Sequence, residues 1–169
     1  MWQLSTKIFL SITTSFFLCH TAAADFIQDC ITVNHQYALA RDHGDIAAYG
    51  RLFADEAVFF MEGEPFQGKT AILERLAGGE SESFARLLIS TVNITDNYDG
   101  TASGIIYFTM FQAPVEDSKV LPITSYNIFM GEYHDTYLQT EQGCKILRRE
   151  TTPVRRQTLL DKVSSDLRD

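Results

Sequence analysis

Residues 84–112 read FARLLISTVNITDNYDGTASGIIYFTMFQ. From Arg86 to Asp96 apolar and polar side chains alternate with a period of two, the spacing of a strand with one face buried. Asp99-Gly100 supplies a turn, and Thr101 to Gln112 resumes the strand pattern, rich in Ile, Tyr and Phe. The segment is therefore an antiparallel hairpin. Downstream, Ala113 to Pro122 reads as a polar loop and Ser125 to Thr140 as a long strand. Glu141-Gln142-Gly143 reads as a turn and Cys144 to Thr152 as a closing strand. Arg155 to Asp169 is polar and charged, predicting a surface helix or a loose tail.

Upstream the period changes. Between Phe26 and about Asp42, Phe26, Cys30, Val33 and Tyr37 fall on one helical stripe, with Ile27, Ile31 and Ala38 beside it. His43-Gly44 ends that helix, and Asp45 can cap a second over Ile46 to Phe53. Ala57 to Met61 predicts a short strand and Glu62 to Pro65 a turn. Gly68-Lys69-Thr70 opens a third helix to Leu76, stopped by Gly78-Gly79. Helices first and hairpin-connected strands second make an α+β domain. A curved sheet folded over helices encloses a cavity suited to a small molecule.

The chain has 169 residues, 45% hydrophobic and 21% charged, which is room for one sizeable globular domain. With 14 basic and 22 acidic residues the net charge is −8, which argues against nucleic-acid or anionic-membrane partners. Lys7 is the only Lys, Arg, Asp or Glu before Asp25. Between them run 17 uncharged residues ending in Ala22-Ala23-Ala24. This is the layout of a secretory signal peptide. The domain reading is a signal peptide at 1–24, a folded domain at 25–153 and a polar tail at 154–169. Cleavage would take Lys7 away and leave 13 basic against 22 acidic residues, a net −9. The expected location is secreted or periplasmic, with no membrane contact after cleavage. Cys30 and Cys144 can then pair or stay free, since two cysteines do not define a scaffold. Asn93-Ile94-Thr95 matches a glycosylation sequon.

Several pieces resemble a known family in order and spacing. Tyr37-Ala38-Leu39-Ala40-Arg41-Asp42-His43-Gly44-Asp45, with Leu52-Phe53-Ala54-Asp55-Glu56-Ala57-Val58, is similar to the opening of the SnoaL-like proteins of the nuclear transport factor 2-like superfamily. Phe66-Gln67-Gly68-Lys69 resembles their lead-in to the third helix. Gly131-Glu132-Tyr133-His134-Asp135 and Gly143-Cys144-Lys145-Ile146-Leu147-Arg148-Arg149 resemble their closing motifs. The resemblance implies a cone-shaped fold with three N-terminal helices on a curved, mostly antiparallel sheet. It also implies a deep apolar pocket and a homodimer through the outer sheet face. Relatives include scytalone dehydratase and ketosteroid isomerase, and other members lack a known activity, so the fold alone does not settle function.

By the same resemblance, Asp42 matches the pocket aspartate of scytalone dehydratase, where an apolar setting would raise its pKa for use as a base. The structural alternative is a helix-end carboxylate holding a backbone amide or an arginine. His35 and Ala38 share a helix face with Asp42, and His35 lies about 10 Å from it along the axis. Leu87 and Met110 stand where related enzymes carry histidines, so that dehydration machinery is incomplete. Alternation places Asn127, Phe129, Gly131, Tyr133 and Asp135 on one face of the long strand, which by resemblance lines the cavity. Tyr133 can donate a hydrogen bond to a ligand carbonyl or enolate, or fill the core. Asp135 is expected to pair with Arg149, His134 to face the other way, and Tyr107 and Phe111 to form pocket wall or core. His35, His43 and His134 lack metal-ligand spacing, and Gly68-Lys69-Thr70 lacks the upstream loop of a phosphate cradle, so no metal or cofactor is expected. Three functions stay open. One is a secreted binder of a small apolar molecule. Another is a proton-transfer enzyme (isomerase, cyclase or dehydratase) using Asp42 and Tyr133. The third is an interaction module with a vestigial pocket.

Overall fold

In the computed structural model, residues 17–80, 83–114 and 125–160 are described. Residues 1–16, most of the expected signal peptide, and the tail beyond 160 lie outside them. The long first helix, α1, spans Phe17–His43. Its inward stripe is Phe26, Cys30, Val33, Tyr37 and Ala40, all buried. The helix ends where Gly44 adopts φ 63°, a conformation that favours glycine. The amide of Asp45 then bonds the Ala40 carbonyl at 3.0 Å, closing the last turn. Asp45 caps the next helix in turn: its carboxylate accepts from the Ala48 amide at 2.8 Å at the start of α2, Ile46–Leu52.

Phe53 leads directly into β1, Phe53–Met61, four residues earlier than alternation suggests. The segment read as a turn is tighter than expected: Glu62 and Gly63 alone reverse the chain, at φ 53° and 87°. They connect β1 to the short β2, Glu64–Gln67, which the sequence reading missed. The third helix, α3, covers Lys69–Glu80 and runs through Gly78-Gly79. Then come β3, Ser83–Asp96, and β4, Thr101–Pro114, the hairpin expected from residues 84–112. The long strands β5, Ser125–Thr140, and β6, Gly143–Leu160, complete the sheet.

The sheet order is β2-β1-β6-β5-β4-β3. Every pairing is antiparallel except β1 with β6. The result is an α+β fold with a curved, open sheet and helices in its concavity. The tail reading is corrected: residues 155–160 continue β6 as strand. β1 pairs β6 only as far as Glu150, whereas β5 pairs it to Leu160. Beyond Glu150 the strand has a neighbour on one side only, which explains why Val154, Arg155 and Arg156 are exposed and why the segment is polar. Cys30 and Cys144 form a disulfide with Cα atoms 5.1 Å apart, tying α1 to β6. Among the described residues no helix is long and apolar enough to cross a membrane.

Candidate functional site: an arginine-centred cavity

The innermost layer is built from Asn34 and Tyr37, three apart on α1, and neighbours across β5 and β6. Arg149 on β6 is fully buried and pairs with Asp135 on β5, its register partner. Its Nε donates to Asp135 Oδ1 at 2.9 Å and its Nη2 to Oδ2 at 2.6 Å, a two-pronged contact. Nη2 also donates to Asn34 Oδ1 at 2.6 Å. Asn34 Nδ2 donates to the Tyr137 hydroxyl at 2.7 Å, which donates to Asp135 Oδ2 at 2.6 Å. Burial works against the charge of Arg149, but the Asp135 carboxylate outweighs it and holds the guanidinium protonated. The remaining nitrogen, Nη1, is buried with no hydrogen-bond partner.

This guanidinium lies over two tyrosine rings, its carbon 4.3 Å from the Tyr37 centroid and 4.2 Å from that of Tyr133. The same two tyrosines line a cavity of about 260 Å³. Phe59, Met61, Phe108, Met110 and Phe129 supply its apolar walls. Phe108 stacks on Tyr133 with centroids 4.3 Å apart, which stiffens that wall. Burial pushes the pKa of Tyr37 up and that of Tyr133 well up, so both stay protonated and neither serves as a base. Arg41, Arg75 and Arg156 also border the space, with Glu62 as the one carboxylate among the described lining residues.

The expected site residues divide. Tyr133, Met110 and Phe129 line the cavity. Asp42 does not appear in its lining. Its Oδ1 accepts from the Leu87 amide at 2.8 Å, and Arg86 lies 3.9 Å from Oδ2. The reason is helix phase: Tyr37 and Arg41 face the cavity, and Ala38 and Asp42, about 100° further round, face β3. Ala38 packs partly buried against the core, and His35 is exposed. Leu87 is a core residue, 5% exposed. Tyr107 and Phe111, expected as pocket wall or core, turn to the outer sheet face, 45% and 36% exposed. Ile106 and Phe108 take the inward positions beside Tyr107. Asn127 is half-buried on β5 and outside the cavity lining. Asp135 pairs with Arg149 as expected, and His134 faces outward, 3.0 Å from Glu132. Sequence reasoning missed Asn34, Arg41, Arg75 and Arg156. The first two lie on the α1 stripe that carries Tyr37, a legible signal, while Arg75 and Arg156 look like solvated surface charges. Among the described residues, no three His, Cys, Asp or Glu side chains are grouped to hold a metal ion.

Helices cupped by a curved open sheet, with a cavity between them, define the nuclear transport factor 2-like class. A superfamily protein of that name from Salmonella enterica aligns with TM-score 0.66 at 13% identity, covering 78% of this chain and 92% of its own. The chain belongs to the SnoaL-like domain family, which matches residues 24–150. Its fold is shared by enzymes. A candidate scytalone dehydratase from Novosphingobium aromaticivorans aligns with TM-score 0.71 at 15% identity, covering 83% of this chain and 91% of its own. A hexachlorocyclohexane dehydrochlorinase aligns with TM-score 0.70 at 14% identity, covering 86% and 94%. At these identities the likeness concerns the fold alone. No curated protein matches the sequence.

Proposed function

We propose that the chain is a secreted SnoaL-like cavity protein that binds a small apolar or aromatic molecule without turning it over. The observation that carries this reading is the wall of Phe59, Met61, Phe108, Met110 and Phe129, closed by Tyr37 and Tyr133. An apolar space with a few convergent polar groups is the general form of a ligand pocket. At about 260 Å³ it lies between the ~150 Å³ cavity that holds benzene and the ~300–1,000 Å³ of drug-sized sites, which suits two fused rings. Binding is favoured over proton transfer because the cavity's phenols are held protonated and Asp42 is engaged by β3. The Cys30–Cys144 bridge favours an oxidising location, consistent with a cleaved leader. Exposed Leu88, Ile105, Tyr107 and Phe111 give the outer sheet face the apolar character of a homodimer surface. Light scattering of the eluting protein at twice the chain mass would support that association.

The test is saturable binding of neutral 2-naphthol, read by calorimetry, to the native protein and to Met110→Trp, which fills the cavity. The expected result is one site per chain, weakened at least about tenfold in the variant with the circular dichroism unchanged. No saturable binding, or equal affinity for both proteins, overturns the reading.

A further inference from the structure

Among the described residues, the cavity's border carries more basic than acidic side chains. The whole chain is net −8, yet Arg75 and Arg156 border the cavity, with Glu62 as the single carboxylate among the described lining residues. Arg156 lies over the Phe129 ring of the cavity wall, 4.7 Å from its centroid, and Arg75 lies 5.9 Å from the Phe66 ring outside it. Glu62 neutralises little: its contact with Arg156 is 3.6 Å long and both groups are largely exposed. Inside, Tyr37 and Tyr133 stay protonated and add no negative charge to the walls. Asp135 adds no free negative charge to the space, since it is ion-paired with the buried Arg149 and neither residue lines the cavity.

From this arrangement we infer that the ligand is an apolar anion: a small aromatic or alicyclic carboxylate. Its ring system fills the cavity and its carboxylate meets the guanidinium groups at the mouth. The inference rests on the cavity-binding reading and narrows it to a chemical class. Arginine suits this role, because its planar fork matches a carboxylate with two parallel bonds and it is weakly hydrated beside aromatic rings. Basic side chains at the opening of a net-acidic chain also steer anions towards it.

The experiment compares naphthalene-2-carboxylate with its neutral isostere naphthalene-2-carboxamide by calorimetry. The expected result is about tenfold tighter binding of the carboxylate at low salt. That advantage is expected to vanish as ionic strength rises from about 0.01 M to about 1 M, where the screening length falls from ~30 Å to ~3 Å. The double variant Arg75→Gln, Arg156→Gln should lose the carboxylate preference and keep its carboxamide affinity, which doubles as the folding control. Glu62→Gln should strengthen carboxylate binding. Equal affinities for the two probes, or a preference insensitive to salt and to both sets of variants, overturn the anion inference while leaving cavity binding intact. Failure of both probes to bind overturns the two together.

Discussion

At the residue scale, the side chain that matters most is Arg149. A fully buried cation is tolerated here because Asp135 and Asn34 accept three hydrogen bonds from it and the rings of Tyr37 and Tyr133 lie against it. Removing one partner of a buried pair leaves an uncompensated charge, at a cost of about 3–5 kcal/mol. Arg149→Met alone should therefore lower chemical stability severely, and Asp135→Leu likewise, while the double variant should recover much of the loss in a urea titration. Asp42 makes the contrast. Asp42→Ala orphans the Leu87 amide and loosens Arg86, which should cost about 1–2 kcal/mol. For a chain of this size that is a fall of roughly 2–8 °C in melting midpoint. Binding of 2-naphthol should be unchanged, because the Asp42 carboxylate faces β3. A loss of binding at unchanged stability would instead return Asp42 to the site.

At the element scale, the positions of strands relative to α1 and to one another depend on a few tight contacts. Gly131 on β5 faces Phe108 on β4. A Cβ there would sit 2.7 Å from the Thr152 carbonyl oxygen and 2.8 Å from Phe108 Cζ. The carbonyl belongs to the paired strand β6 and Phe108 is locked by its stack on Tyr133, so neither can yield cheaply. Gly131→Ala should cost about 1–3 kcal/mol in a thermal melt and weaken cavity binding, since it displaces the wall. The disulfide acts at the same scale. It closes 114 residues of sequence separation between α1 and β6. In the chain-entropy account, a loop of that order stabilises by up to about 4–5 kcal/mol. A peptide map without reductant should show Cys30 joined to Cys144, and reduction should lower the melting midpoint by several degrees. Separate, alkylatable Cys30 and Cys144 peptides would remove this brace.

At the scale of the whole molecule, stability should depend on pH at the alkaline end. The folded-state pKa values of Tyr37, Tyr133 and Tyr137 are raised, by burial first and then by neighbouring tyrosine or Asp135 charge at the last two. In the unfolded chain each titrates near about 10. A raised folded pKa means that the contribution is complete below that pH and declines above it, as the unfolded state releases protons that the folded state keeps. Urea midpoints should fall above pH of about 10. In the phenolate absorbance, Tyr37, Tyr133 and Tyr137 should titrate only on unfolding, so at least three of the seven tyrosines stay silent in the native state. Complete phenolate absorbance with native circular dichroism would show that these rings are accessible.

The sequence by itself determined the class of fold, because hydrophobic period is a local property. The stripe from Phe26 to Tyr37, the Gly44-Asp45 junction and the hairpin of residues 84–112 are all legible without knowing what packs where. It also supplied the Asp135–Arg149 pairing, since two neighbouring strands joined by a short turn fix which residues face each other. The tertiary structure alone decided the rest. Whether Asp42 or Arg41 faces the cavity depends on how far α1 is rotated against β3, a matter of one residue in helical phase. The parallel pairing of β1 with β6 joins segments far apart in the chain, and no local pattern announces it. Arg156 belongs to a segment that reads as a tail because its strand has a neighbour on one side only. Arg75 looks like any exposed helix charge. These side chains become a mouth only when α1, α3 and β6 are brought together around one cavity.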